Sequence, residues 1–252
     1  MGFSKKFLYM PILILLSSTT MLCASEQSRK VKTVHPVPSA ILMDAYRYLG
    51  SLNYFSFDAI TTNDDIFHNI MLQEFTHKVH VDVLRPNKLQ VHIVGDIKNR
   101  SIYINDDNFN MIDHKLNFYG ELKVPKTIDG TLDYLFEEYE IKAPLANLLY
   151  TDLDKRIAPK EKGYYFGTTT VDGKICHYIG FSNEERELQL WIEKGETPLI
   201  RKFSIIDKDV NFDLRSTTLL RWNTKPYFKR KHFIFEVPKD AQKISVELKG
   251  SI

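Results

Sequence analysis

The feature that most constrains this chain is a hydrophobic period of two. Val79, Val81 and Val83 would share one face of a strand, as would Leu89, Val91 and Ile93 in a second and Ile102 and Ile104 in a third. His80, Asp82, Gln90, His92, Ser101 and Tyr103 fall between them. Successive side chains of a strand point to opposite sides, so this alternation predicts antiparallel strands with one covered face. Asp and Asn gather at Asp96–Asn99 and Asn105–Asn108, where turns are expected. After Gly163 the strands resume. Val171-Asp172-Gly173-Lys174 is a strong hairpin signal, because Asp-Gly accepts positive φ at both turn positions. Further strands are expected near 186–193, 199–207, 212–222 and 233–237.

A covered face needs a cover. Ile41, Leu42, Ala45, Tyr46, Leu49 and Leu52 recur at three- and four-residue intervals, which predicts a helix over 39–52 with Ser39 as N-cap. Thr127 can cap a second helix over 128–141, with Leu132, Leu135, Phe136 and Tyr139 along one side, and 144–150 suggests a short third. Sixteen Phe and thirteen Tyr suit a pleated, half-buried surface. The expected fold is therefore mainly β (α+β): a large curved antiparallel sheet or half-open barrel wrapped around a few helices.

The N-terminus has the character of a targeting segment. Lys5 and Lys6 precede an apolar run, Phe7 to Leu22, which Pro11 interrupts and which is too short for a comfortable membrane span. The expected organisation is a signal peptide over 1–24, cleaved near Ala24, a polar tether over 25–38, and a single β-rich domain over 39–252. A retained anchor and a lipid-modified Cys23 are the alternatives. Removing Lys5 and Lys6 from the 34 basic residues leaves 32 against 32 acidic ones, so the exported chain is near neutral. That balance gives no footprint for nucleic acid. Lys229, Arg230, Lys231 and His232 form one basic cluster, read as a solvated turn or a contact for anionic lipid head groups. Cys176 alone would remain after cleavage and can form no internal disulfide.

Catalytic constellations are weak. Cys176 and His177 are neighbours on a strand and point to opposite faces, so they cannot form a dyad. Gly180-Phe181-Ser182 lacks the second glycine of a nucleophile elbow and reads as a strand exit. His80 and Asp82 share a face, but His77 points away from them, and zinc needs three or four converging ligands. Glu137-Glu138 and Glu184-Glu185 read as solvated charge. No catalytic residue, metal or cofactor is expected.

Several motifs in order resemble a known family. They are Val81-Asp82-Val83-Leu84-Arg85-Pro86, Gly95-Asp96 with Arg100, Thr127-Ile128-Asp129, and Leu132-Asp133-Tyr134-Leu135. Pro144 through Tyr150, Val171-Asp172-Gly173 with Cys176-His177, and Trp191-Ile192-Glu193 with Pro198, Arg201 and Lys202 continue the series. Together they resemble the predicted periplasmic proteins grouped as domain of unknown function 2092. Asn147 and Ile200 depart from the family pattern, where Asp and Pro are expected, which leaves Asn147 without a family role. The family is similar in fold to periplasmic lipoprotein carriers, in which an incomplete barrel around helices accepts acyl chains. The resemblance implies a fold more firmly than an activity.

The expected function is a periplasmic carrier or binding protein that shelters a lipid or lipoprotein acyl chain between helix 128–141 and the concave sheet face. Leu132, Leu135, Phe136, Val81, Val91, Ile93 and Ile102 are the expected lining. A membrane surface or an envelope protein is a further candidate partner. The alternative is a structural or partner-binding envelope module with a fully packed core, and a third reading is a hydrolase using Cys176 or a histidine.

Overall fold

The computed structural model describes residues 36–68, 70–141, 144–157, 161–208 and 213–246. The expected signal peptide, the lipid-modification site at Cys23 and most of the tether lie outside them. Helix α1 (Pro38–Ser51) precedes β1 (Tyr54–Phe67), β2 (Met71–Leu84), β3 (Lys88–Gly95), β4 (Asn99–Asn105), β5 (Asn108–Asp113) and β6 (Phe118–Lys123). Helix α2 (Ile128–Tyr139), a 3-10 turn (Pro144–Leu149) and α3 (Leu153–Arg156) follow. The chain then forms β7 (Gly163–Val171), β8 (Lys174–Ser182), β9 (Arg186–Glu193), β10 (Ile200–Asp207), β11 (Leu214–Asn223) and the two-residue β12 (Gln242–Lys243).

The described strands make one sheet of twelve, in the order β12-β6-β5-β4-β3-β2-β1-β11-β10-β9-β8-β7. Every pairing among them is antiparallel except that of β12 with β6. Laid flat, such a sheet would be roughly 50 Å wide at the usual strand spacing. Yet Phe109 on β5 and Ile179 on β8 belong to one buried cluster with Leu42, Ala45 and Leu49 of α1 and Ile128 and Leu135 of α2. Strands so far apart in the order meet around the same helices only if the sheet curls around them.

Local chemistry explains most element ends. Pro38 opens α1 because its fixed φ suits a first helical turn and its missing N–H is one of the unpaired donors there. Val37 therefore takes the N-cap position expected of Ser39. The Thr127 hydroxyl accepts the Gly130 N–H and starts α2, and Glu140 ends it in the left-handed region. Asp172 and Gly173 both take positive φ, as the β7–β8 turn requires. Residues 233–237, expected as a strand, pair with no strand among the described residues. Their alternating aromatics instead pack across the outer face of the sheet: Phe233 is buried and Phe235 lies against Tyr103 and Tyr119.

One side chain ties the helices to the sheet. Arg85 leaves the end of β2 and donates from Nη1 to the carbonyls of Leu49, Gly50 and Leu52 at 2.8, 3.2 and 2.5 Å. From Nη2 it donates to those of Leu149 and Tyr150 at 2.8 and 3.1 Å. These are the orphan acceptors at the ends of α1 and the 3-10 turn, where a cation is doubly favoured. Burial pulls the guanidinium below its usual pKa, and the nearby Asp129 opposes that pull. The same junction brings Gly50 so close to the chain that an added Cβ would sit 2.3 Å from the Thr151 carbonyl oxygen.

Replacing Arg85 with Met leaves five acceptors without this donor and should cost about 3 kcal/mol or more in urea unfolding. Arg85→Lys should recover only part of the loss, because a single ammonium cannot reach both carbonyl groups of acceptors.

Candidate functional site

The inner face of the sheet is ordered in rows fixed by strand register. Val83, Leu89, Ile104, Phe109 and Leu122 stand side by side across β2 to β6, nearest the Arg85 junction. All but Leu122 are sealed. The next row is Val81, Val91, Ile102, Met111 and Gly120, and the third is Val79, Ile93, Arg100 and Asp113. Val81 and Val79 are buried, but Val91, Ile93, Ile102 and Met111 are only half covered. Burial thus declines along β3, β4 and β5 away from the helices, leaving an apolar trough that ends at Arg100.

Arg100 Nε donates to Asp113 Oδ2 at 2.9 Å across the third row. That bond, joined by the Lys115 and Leu116 N–H groups, holds the Asp113 carboxyl below its ordinary pKa. A hydrocarbon floor with a guanidinium at its open end is suited to an amphiphile, apolar along its length and anionic at its head.

Helix α2 contributes Ile128 and Leu135 to the same buried cluster, and it is latched to the segment after the 3-10 turn. The Thr151 N–H and hydroxyl donate to Asp129 Oδ2 at 3.1 and 2.5 Å. Asp133 accepts from the Tyr150 hydroxyl at 2.9 Å and from two nitrogens of Arg156 at 2.8 and 3.1 Å. The residues expected as lining separate accordingly. Val81 and Leu135 are part of the packed core, whereas Val91, Ile93, Ile102 and Leu132 are half-buried against it. Phe136 turns outward and is 54% exposed. Met111 and Leu122 join the trough, although strand periodicity did not single them out.

The outer face carries a polar network that periodicity did not reveal. His80 donates from Nδ1 to Asp58 at 2.7 Å and from Nε2 to Asp82 at 3.1 Å. The bond to Asp82 is the main reason its pKa rises to about 9. His232, in the segment that crosses this face, gives Asp82 a second bond at 2.8 Å. Burial alone would raise the Asp82 carboxyl, but the two histidines outweigh it and hold it low. The basic cluster at 229–232 is thus a turn pinned through His232. Ser101 sits between His92 and His114, its Oγ 2.9 and 2.8 Å from their ring nitrogens. At 3% exposure it bridges strands and offers no approach to a substrate.

Other chemistry-bearing residues have structural surroundings. Cys176 is fully buried, and burial with Glu193 nearby pushes its thiol up, away from the reactive thiolate. His177 faces the other way and meets the Tyr165 hydroxyl at 3.1 Å. Among the described residues no three His, Cys, Asp or Glu side chains converge as a metal would require. A separate cleft of about 500 Å³ lies where the C-terminal segment crosses β5 and β6. Asn105, Asn108, Asn110, Glu121 and Lys123 line it together with Ile234, Phe235 and Val237, a mixed polar and apolar surface.

The model of the family described as predicted periplasmic protein (DUF2092) matches residues 39–247. No curated protein matches the chain. Among solved structures, LprF from Mycobacterium bovis is 12% identical, with a TM-score of 0.47, covering 81% of this chain and 97% of its own. An uncharacterized conserved protein from Thermus thermophilus is 11% identical, with a TM-score of 0.45 and coverage of 82% and 97%. A LolA superfamily protein from Nitrosomonas europaea is 9% identical, with a TM-score of 0.33 and coverage of 79% and 98%. These likenesses are weak, and no role passes from them to this chain.

The His80–Asp82 contact makes stability depend on pH in a defined direction. An imidazole raised on folding contributes fully below its ordinary value of 6.5, and the contribution is lost as pH climbs through about 9. Asp82, lowered on folding, contributes above its ordinary 3.8 and loses its part as pH falls. The urea midpoint of the wild type should therefore drop between about pH 7 and pH 9.5, while that of His80→Gln stays flat. His80 is half exposed, so solvent screening limits the difference to about 1 kcal/mol or less.

Proposed function

The chain belongs to the family of predicted periplasmic proteins (DUF2092), and on that premise we propose that it is a non-catalytic carrier for a lipid or lipoprotein acyl chain. Its family description places it in the periplasm. Export through residues 1–24 and a single domain over 39–252 are parts of the same proposal. The observation that carries it is the partly covered row of Val91, Ile102 and Met111, which gives way to Arg100 in the next row. A partly covered apolar row on the concave side of a sheet provides area for a guest.

The guest's chain would lie along Val91, Ile93, Ile102, Met111 and Leu132, with an anionic head at Arg100. Each methylene taken out of water contributes about 0.8 kcal/mol, so a long acyl chain is held without covalent chemistry. Membrane lipid is the natural source and destination of such a chain. The reading of a fully packed envelope module draws on the sealed row through Val83, Leu89 and Ile104, and it predicts that no guest is taken up.

Native mass spectrometry of protein purified from the periplasm should show a bound lipid, and a fluorescent fatty acid should bind in solution. Ile102→Trp fills the trough without opening the core and should abolish uptake. Arg100→Gln should weaken a carboxylate probe about tenfold, as expected for one lost charge-assisted contact, and a neutral analogue much less. Finding neither co-purified lipid nor probe uptake would leave the packed module.

A further inference from the structure

The apolar residues exposed at the turns are unevenly distributed. In the run β1 to β6 the turns β1–β2, β3–β4 and β5–β6 lie at one end of the sheet. Each carries a large exposed apolar side chain: Ile70 at 76%, Ile97 at 59% and Leu116 at 62%. Phe67, Met71 and Leu72 extend the first of these tips. The turns at the opposite end read Pro86-Asn87 and Asp106-Asp107, whereas at the end of the apolar tips, but in the other half of the sheet, the β8–β9 turn reads Asn183-Glu184-Glu185. The apolar tips therefore belong to one end of the half that holds the trough, and it is the end toward which burial declines.

The first tip also projects. The last β1 residue paired with β11 is Asn63, and β3 pairs with β2 only from His77 onward. Among the described residues, Asp64–Phe67 and Met71–Glu74 pair only with each other. On the β3 side this two-stranded ribbon extends roughly 13 Å past its neighbour at the usual rise of a strand, whereas on the other side β11 runs beside it as far as Leu214.

We propose that this end of the sheet docks on the surface of a phospholipid bilayer, with the tips at Ile70, Ile97 and Leu116 entering the interfacial layer. The tips stand about two strand spacings apart, roughly 10 Å, and form no continuous patch. A protein partner would need a contiguous, close-packed core across them, whereas a fluid interface accommodates separate wedges. Lys98 and Lys115 stand beside two of the wedges, within reach of lipid phosphates. The neighbouring carboxylates are held by backbone N–H groups, and the apolar wedges rather than net charge carry the contact. Asp96 accepts the Thr76 N–H, Asp65 the Ile66 N–H and Asp64 the Arg215 N–H. Docked this way, the open end of the trough faces the lipid. The proposal rests on the carrier reading for its purpose, but vesicle binding is measured independently of cargo.

Flotation with vesicles of phosphatidylethanolamine and phosphatidylglycerol tests it. Wild-type protein should float with the vesicles, and Ile70→Ser/Ile97→Ser/Leu116→Ser should lose binding by about tenfold or more. The triple variant should keep its urea midpoint and its fatty-acid uptake in solution, which separates failed docking from a failed carrier. The indole fluorescence of Ile97→Trp should be quenched by brominated phospholipid. A variant with Lys229, Arg230 and Lys231 all changed to Ser should float as the wild type does. Absence of flotation, flotation indifferent to the three serines, or flotation lost in the 229–231 variant instead would each overturn the proposal. So would an indole at position 97 that bromine leaves unquenched, or photocrosslinking from that position that captures an envelope protein and no lipid.

Discussion

The architecture depends on where the helix carbonyls at the mouth of the core find their donor. A sheet that curls around helices must bury the ends of those helices, and each end presents acceptors that water can no longer reach. Arg85 resolves this at a single point, reaching two helical segments distant in sequence from the end of the strand between them. Its guanidinium also lies 5.2 Å from the centre of the Phe55 ring, so the charge rests on the core it closes. The latch through Asp129 and Asp133 builds outward from the same junction, because Tyr150 and Thr151 belong to the chain segment that Arg85 holds.

With the helices fixed at one end, the character of the other end follows. The rows of the inner face run from sealed to half covered as they leave the helices, and the first charged pair on that face stands where cover runs out. The outer face needs no such opening. There His80, Asp82 and His232 join β1, β2 and the C-terminal segment by charge, while Phe233 and Phe235 cover the strands by area. The two faces thus divide the work: polar bonds secure the closed face and apolar packing grades the open one.

Strand periodicity made the sheet legible from residues alone. Val79 to Ile104 alternate because one face is covered, and Thr127 and the Asp172-Gly173 turn act through bonds made within a few residues. Long-range partnerships were not legible. Nothing local distinguishes Arg85 from a surface arginine after a strand. The segment 233–237 misled for a physical reason. Phe233, Phe235 and Val237 alternate because they lie on a sheet face, and side-chain packing imposes the same period as a ladder. Within the trough, the Asn-Phe-Asn-Met pattern of β5 carried the alternation that would have named Met111. Val81 is sealed while Val91, beside it in the same row, is half-buried, and no single-strand pattern encodes that difference.

The two sides of the sheet end differently. β12 covers β6 with a short parallel pairing, while β7 has no neighbour beyond it among the described strands. Bare strand edges invite another chain to add itself. Here the register slips between Tyr165 and Gly167, with Gly167 at a φ of 114°. A kink of this sort bends the strand and breaks its run of donors and acceptors. An incoming strand could stay in step on one side of the slip only, for at most the five residues from Gly167 to Val171. The edge is thereby a poor template for polymerisation, which keeps copies of the chain apart in the periplasm.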